Sequence, residues 1–181
     1  MFKFRQFLLL SGVLSLLIGC QGMPQKPLPT ADHVDLPRFM GDWYVIAFIP
    51  IFVEKDAHNA VENYRLSRDG MVETIYRFRD GDFKGPLKKY ESTGFVEEGS
   101  SNAIWSVQFF WPFKADYRVM YVDQDYTQTI VGRQKRDYVW IMARTPSISN
   151  DDYQKLLSVV REAGYDLSLV RKVPHRWPEQ S

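Results

Sequence analysis

The sequence Tyr-Val-Trp-Ile-Met-Ala-Arg-Thr-Pro at residues 138–146 decides how the rest of the chain is interpreted. Tyr138, Trp140 and Met142 alternate with aliphatic residues, which predicts a β-strand with one bulky face. The strand ends in Arg-Thr-Pro, just before a stretch with helical spacing. Much earlier in the chain, residues Gly-Asp-Trp-Tyr (41–44) begin another predicted strand.

Turn signals recur between short runs of β-branched and aromatic residues. Asp69-Gly70 is a dipeptide typical of a tight hairpin, and comparable turns separate the other runs. This regular spacing predicts an all-β sandwich or barrel. The predicted strands are residues 43–49, 60–67, 71–79, 88–96, 103–110, 117–123, 126–132 and 137–144. Periodicity alone leaves open whether the bulky face is a sandwich core or the wall of a barrel cavity.

One helix is predicted over residues 149–163. Ser149 can cap it, because an aspartate follows three residues later. Gly164 is a typical residue for its end, and we expect a short strand at Leu167–Val170. Apolar residues at helical spacing predict that one side of this helix packs on the sheet. They are Tyr153, Leu156, Leu157 and Val160.

The N-terminus has the pattern of a secretory signal. Lys3 and Arg5 precede an apolar run at residues 7–18, whose length of about 18 Å as a helix is too short to span a membrane. The four residues 17–20 resemble the bacterial lipobox, which implies cleavage after residue 19 and a lipid anchor such as palmitate on Cys20. A plain signal peptide with an incidental cysteine is the alternative. We expect residues 20–35 to be a lipidated tether.

Composition limits the possible functions. The chain has 181 residues and a net charge of +1, and removal of residues 1–19 leaves 21 basic and 22 acidic residues. This balance gives no electrostatic basis for nucleic-acid binding. A single cysteine excludes a disulfide framework and a zinc site built from several cysteines.

Residues 41–44 resemble the Gly-x-Trp motif of the lipocalin family, and residues 138–146 resemble its C-terminal arginine motif. Residues 122–126 resemble its middle motif loosely, and the resemblance covers residues 36–172. With the lipobox-like sequence included, the chain is similar to the bacterial outer-membrane lipoproteins of that family. The resemblance implies an eight-stranded up-and-down antiparallel barrel, a calyx with one C-terminal α-helix packed outside. Residues 173–181 are then a C-terminal tail.

In such a barrel the first and last strands are neighbours. The start of the first strand then meets the end of the last one, which brings Trp43 beside Arg144. Arg144 can stack on the indole and donate to nearby carbonyls, a contact worth about 0.5–2 kcal/mol. We therefore predict a structural role for Gly41, Trp43 and Arg144. The alternative is a core tryptophan and an unrelated solvated arginine.

The bulky face of the strands predicts the wall of a ligand pocket, rich in aromatic residues and poor in charge. An apolar or amphipathic guest suits such a wall, because apolar burial drives its binding. The predicted ligand-binding residues are Val45, Ala47, Tyr76, Phe78, Trp105, Val107, Phe109, Tyr117, Val119, Tyr121, Trp140 and Met142.

The sequence contains no pattern typical of catalysis. There is no Gly-x-Ser-x-Gly elbow, no phosphate loop and no paired histidine motif, and the only cysteine lies before the barrel. We expect no enzyme activity, no metal and no cofactor. An enzyme acting on lipids or isoprenoids is the less favoured alternative.

These patterns predict a carrier that stores or transports a lipophilic ligand, with a fatty acid or lysophospholipid as the natural candidate. We expect it to be anchored by lipid to the outer membrane, facing the periplasm. The alternative is a non-binding scaffold or envelope-assembly lipoprotein with a filled barrel. Apolar residues in the loops at 50–53 and 111–113 predict an exposed rim at the open end that contacts a membrane or forms a homodimer. The alternative is that these side chains fold inward and plug the barrel.

Overall fold

Eight antiparallel strands form a closed barrel in the computed structural model, which describes residues 26–51 and 54–179. Each strand pairs with the next one, and β1 pairs with both β8 and β2, which closes the ring. The predicted barrel is confirmed, and a sandwich is excluded. The strands are β1 (Gly41–Ile49), β2 (Ala57–Leu66), β3 (Val72–Asp80), β4 (Leu87–Val96), β5 (Ile104–Phe110), β6 (Phe113–Val122), β7 (Gln128–Gly132) and β8 (Val139–Ala143).

The two ends of the barrel differ. Because the strands alternate in direction, the loops before β1 and after β8 lie at one end. The short helix α1 (Leu36–Phe39) covers this closed end, capped by the side chain of Asp35, and Phe39 is fully buried. The connections β1–β2, β3–β4, β5–β6 and β7–β8 lie at the opposite, open end.

Arg144 and Trp43 meet at the closed end, where β1 and β8 are neighbours. The guanidinium lies 3.8 Å from the centre of the Trp43 ring. Arg144 also donates to the carbonyls of Asp42 and Met40, at 2.8 and 2.9 Å. Gly41 has a φ of +95°, and a Cβ there would lie 3.4 Å from an Arg144 nitrogen, so a larger residue would be strained. The arrangement is the one expected for a structural motif.

Aromatic side chains fill the closed half of the barrel. Phe39 contacts the rings of Trp43, Tyr64 and Trp105 at centroid distances of 5.2, 5.4 and 5.6 Å. Trp105 in turn stacks on Tyr117 at 4.8 Å. These contacts pack the closed half of the barrel with aromatic rings.

Helix α2 (Asn150–Glu162) packs on the outside of the barrel, within one residue of its predicted bounds. The Ser149 hydroxyl accepts a hydrogen bond from the backbone N–H of Asp152 at 3.0 Å, as the capping pattern predicts. The buried side of helix α2 belongs to a second apolar cluster, which lies between the helix and the barrel wall. That cluster includes Tyr153, Leu156, Val160, Ile130 and Ile141.

The strand predicted at Leu167–Val170 is wrong in position. The Asp166 side chain accepts from the backbone N–H of Ser168, which closes a 3-10 turn over Leu167–Leu169. A two-residue strand, β9 (Arg171–Lys172), follows and pairs with β1.

The residues after β9 complete the wall between β1 and β2. Val173 donates its N–H to the Ile46 carbonyl. The Asn59 side chain accepts from the Arg176 N–H at 2.7 Å and donates to the Arg176 carbonyl at 3.0 Å. Asn59 has a φ of 51°, at an irregularity in the pairing of β2 with β3. The structure therefore assigns residues 173–176 to the barrel wall, although we expected a separate tail.

Part of the predicted tether also packs on the barrel. Leu28 and Val34 are buried, and the N–H of Ala31 donates to the Val119 carbonyl at 2.9 Å. The predicted signal peptide and Cys20 lie outside the described residues. Within the described part of the chain, no helix is long and apolar enough to cross a membrane.

Candidate functional site

A cavity of about 430 Å³ occupies the open half of the barrel, above the aromatic filling. Its volume falls in the range of ordinary small-molecule pockets. Most of its wall is apolar or aromatic, contributed by strands from around the barrel and by the open-end loops. These lining residues are Ile51, Tyr76, Tyr90, Val107, Phe109, Phe110, Ala115, Tyr117, Tyr138 and Trp140.

The structure divides the twelve predicted ligand-binding residues into three groups. Tyr76, Val107, Phe109, Tyr117 and Trp140 line the cavity. Another five are buried in the apolar core of the barrel and do not line the cavity. They are Val45, Phe78, Trp105, Val119 and Met142.

The inward facing predicted for Ala47 and Tyr121 is wrong. The pairing of β1 with β8 shifts between Val45 and Ala47, and the pairing of β6 with β7 shifts between Val119 and Tyr121. An extra residue at each irregularity moves the following side chains to the other face. Ala47 and Tyr121 therefore pack in or against the cluster beneath helix α2.

The wall is not poor in ionisable groups, contrary to expectation. Two buried glutamates face the cavity, together with further polar side chains nearer its rim. The polar and charged lining residues are Glu54, Glu62, Thr74, Glu91, Ser92, Asp116 and Arg133.

Glu62 is the deeper of the two buried acids and is 7% exposed. The Tyr64 hydroxyl donates to its carboxylate, and the Tyr64 and Tyr117 hydroxyls are 2.7 Å apart. Burial raises the pKa of Glu62 to about 8, and the nearby charge of Glu54 adds to that rise. Glu62 is therefore mostly neutral at pH 7. Ala60 and Tyr64 lie on the inner face of β2, and strand alternation places residue 62 on the same face. This pattern was the sequence signal that could have located Glu62.

Glu54 lies in the β1–β2 connection and is 1% exposed. Its carboxylate accepts from the Ile51 backbone N–H at 3.1 Å. Burial raises the pKa of Glu54, and the nearby Tyr76 hydroxyl and Trp140 indole N–H oppose that rise. Neither of these two groups makes a hydrogen bond of normal geometry with the described residues. Because Glu54 is in a loop, no periodic pattern could have located it.

Arg133 brings a positive charge to the mouth of the cavity. Its guanidinium lies 3.5 Å from the Asp137 carboxylate and 4.7 Å from the centre of the Tyr138 ring. Its Nε atom is buried without a hydrogen-bond partner among the described residues. Arg133 can therefore still donate to a ligand that carries an acceptor at the mouth.

The arrangement suits the binding of a small molecule. A closed barrel with a single outer helix, hollow in its upper half and lined by apolar side chains, has the architecture of a small-molecule carrier. In residues 26–51 and 54–179, no group of three or more His, Cys, Asp and Glu side chains could hold a metal ion.

The chain belongs to the lipocalin family, whose members generally bind small hydrophobic molecules without enzymatic activity. The family model described as a lipocalin-like domain matches residues 34–175. The chain is 30% identical over 161 residues to the outer membrane lipoprotein Blc of Vibrio cholerae, covering 88% of this chain and 92% of that protein. It is also 30% identical over 154 residues to the Blc of Escherichia coli K12, covering 84% and 86%.

Solved structures support the same fold. Insecticyanin from Manduca sexta is 14% identical and superimposes with a TM-score of 0.64, covering 84% of this chain and 86% of that one. Apocrustacyanin C2 is 10% identical, with a TM-score of 0.63 and coverage of 86% and 94%. At these identities the likeness extends to the barrel fold alone.

Proposed function

We propose that this protein is a membrane-anchored carrier of a single-chain amphiphile, a fatty acid or a lysophospholipid. The observation that carries the proposal is the mainly apolar cavity of about 430 Å³ in the open half of the barrel, with stacked aromatic rings below it. The alternative of a scaffold with a completely filled barrel is less favoured, because only the closed half is filled.

The charges in the cavity favour entry of the ligand with its tail first. An anionic headgroup placed deep in the barrel would lie beside the two buried acids Glu54 and Glu62, with no basic lining residue there to compensate its charge. At the mouth the same headgroup would meet Arg133 instead. The alkyl chain then rests against Val107 and Tyr117.

The carrier proposal is tested by extracting lipid from the purified protein and by native mass spectrometry. We expect a bound single-chain lipid, or stoichiometric uptake of an added fluorescent fatty acid. Trp140→Phe should lower energy transfer to that fatty acid, because Trp140 lines the cavity, whereas Trp177→Phe, on the outer wall, should leave most of it unchanged. A barrel that takes up no lipid would support the scaffold.

Arg133→Gln should weaken binding of a fatty acid at least about tenfold, because one charge-assisted hydrogen bond is worth about 1.5–3 kcal/mol. Binding of the uncharged monoacylglycerol with the same chain should change little. Isothermal titration with both ligands measures the difference. Lys135→Gln, an exposed cation in the same loop, is the control and should affect neither ligand. Equal weakening of both ligands would show that Arg133 shapes the mouth and does not bind the headgroup.

We further propose that Cys20 carries a lipid and that the protein is held at the outer membrane, facing the periplasm. The lipobox-like sequence at residues 17–20 supports this, as do the relatives named as outer membrane lipoproteins. These relatives align with most of the chain, so the comparison is not limited to the barrel core.

Cys20→Ser should release the protein from the membrane fraction while leaving its melting temperature unchanged, because the cysteine precedes the barrel. Gln21→Ser, one residue further on, should keep the protein in the membrane fraction. Cell fractionation and a thermal melt measure both effects. Full membrane retention of the Cys20→Ser variant would contradict the lipid anchor.

A further inference from the structure

The hairpin between β5 and β6 exposes four aromatic side chains at the open end. We call Phe109–Phe113 the aromatic tip. Its rings are 55, 66, 84 and 67% exposed at Phe109, Phe110, Trp111 and Phe113. Single exposed apolar residues are ordinary on protein surfaces, but four in five consecutive positions form a patch that normally marks a contact.

The described chain also begins at the open end. The Lys26 carbonyl accepts hydrogen bonds from the side chains of Gln134 and Arg136, at 3.1 and 3.0 Å. The N–H of Leu28 donates to Gln134 at 2.9 Å. Gln134 and Arg136 belong to the β7–β8 connection at the mouth, and from there the chain runs along the barrel to α1 at the closed end.

The length of chain before Lys26 fixes which end can approach a membrane. Lys26 is the sixth residue after Cys20, and a fully extended chain spans at most about 3.6 Å per residue, so the anchor lies within about 22 Å of Lys26 at the mouth. The closed end lies about ten residues further along the chain, at α1. A lipid on Cys20 therefore brings the mouth, and not the closed end, to the bilayer.

We propose that the aromatic tip inserts into the interfacial region of the lipid bilayer, with the mouth of the cavity facing the membrane. Trp and Phe side chains are suited to this region, because their rings are large and apolar and the indole N–H can still meet the polar headgroups. The orientation rests on the proposed lipid anchor, whereas the exposure of the tip does not. A single-chain lipid could then pass from the bilayer into the cavity tail first.

Tryptophan fluorescence of the full-length lipidated protein tests the proposal. The protein is reconstituted into phosphatidylcholine vesicles whose acyl chains carry bromine near the headgroup. We expect bromine to quench the emission of the wild type and Trp111→Phe to lose most of that quenching. Trp140→Phe should retain it, which shows that the signal does not come from lipid inside the cavity.

A tryptophan at the other end of the barrel is the matched control. Leu66 is exposed at the closed end of β2, so Trp111→Phe/Leu66→Trp moves the exposed indole away from the mouth. We expect no more quenching of this variant than of Trp111→Phe alone. High salt should not weaken the wild-type signal, because apolar insertion is not screened as charge attraction is.

Three results would overturn the proposal: equal quenching of the wild type and the Trp111→Phe variant, quenching of the indole at position 66, or protection of Trp111 in a dimer seen by sedimentation. The last would assign the aromatic tip to a second copy of the chain. Failure of the carrier function would instead appear in lipid extraction, and failure of the anchor in fractionation of the Cys20→Ser variant. Both are measured independently of bromine quenching.

Discussion

Trp43→Ala is expected to lower the free energy of unfolding by about 3–5 kcal/mol, the cost of truncating a large buried aromatic residue. Trp43 is fully buried, donates its indole N–H to the Phe39 carbonyl at 2.8 Å and contacts the Phe39 ring. Truncation leaves a cavity beneath α1 and removes the surface on which Arg144 stacks. Urea unfolding monitored by circular dichroism measures the loss.

The contact between Trp43 and Arg144 should appear as coupling in a double-mutant cycle. Arg144→Ala alone should cost less than Trp43→Ala, and the two together should cost less than the sum of the single changes. Arg161→Ala, on the exposed face of α2, is the control and should add independently to Trp43→Ala. Strict additivity of Trp43→Ala and Arg144→Ala would contradict the energetic role of the stacking contact.

Glu62→Gln is expected to stabilise the protein at alkaline pH by about a few kcal/mol. In the folded barrel, burial raises the pKa of Glu62 from its ordinary value of 4.5 to about 8. Below pH 4.5 the carboxyl is protonated in both the folded and unfolded states. Between pH 4.5 and 8 the unfolded chain loses this proton while the folded chain keeps it, so stability falls as the pH rises. Above pH 8 the loss is complete.

Urea unfolding at pH 5 and pH 9 measures this effect. The wild type should lose more stability between these values than the Glu62→Gln variant, whose amide does not titrate. Because burial also raises the pKa of Glu54, the double variant Glu54→Gln/Glu62→Gln should have the flattest profile. Parallel profiles for the wild type and the Glu62→Gln variant would show that the Glu62 carboxyl titrates normally.

Ligand affinity should fall with the same pH dependence, since an ionised Glu62 makes the cavity floor less apolar.

The strand pattern and the ends of the helix followed from local sequence. Alternation of apolar residues, turn dipeptides and the Ser149 cap depend on neighbours along the chain, and the structure places these elements within a few residues of their predicted bounds. The position of the Trp43–Arg144 contact followed from the family resemblance together with the order of strands in a closed barrel. It needed no knowledge of packing.

The cavity itself was decided by tertiary structure. Whether an inward aromatic ring fills the barrel or lines an open space depends on how rings from different strands meet, as Trp105 and Tyr117 do, and sequence alternation does not encode their height in the barrel. The bulges that reverse Ala47 and Tyr121 leave no mark in the hydrophobic pattern. The sequence by itself thus determined, through its alternation, that strands with one bulky face would form, and its family resemblance implied that they would close into a barrel. Only closure of that barrel decided which side chains face inward, which half stays hollow and how far burial raises the pKa of Glu62. Each of these depends on contacts between residues far apart in the chain.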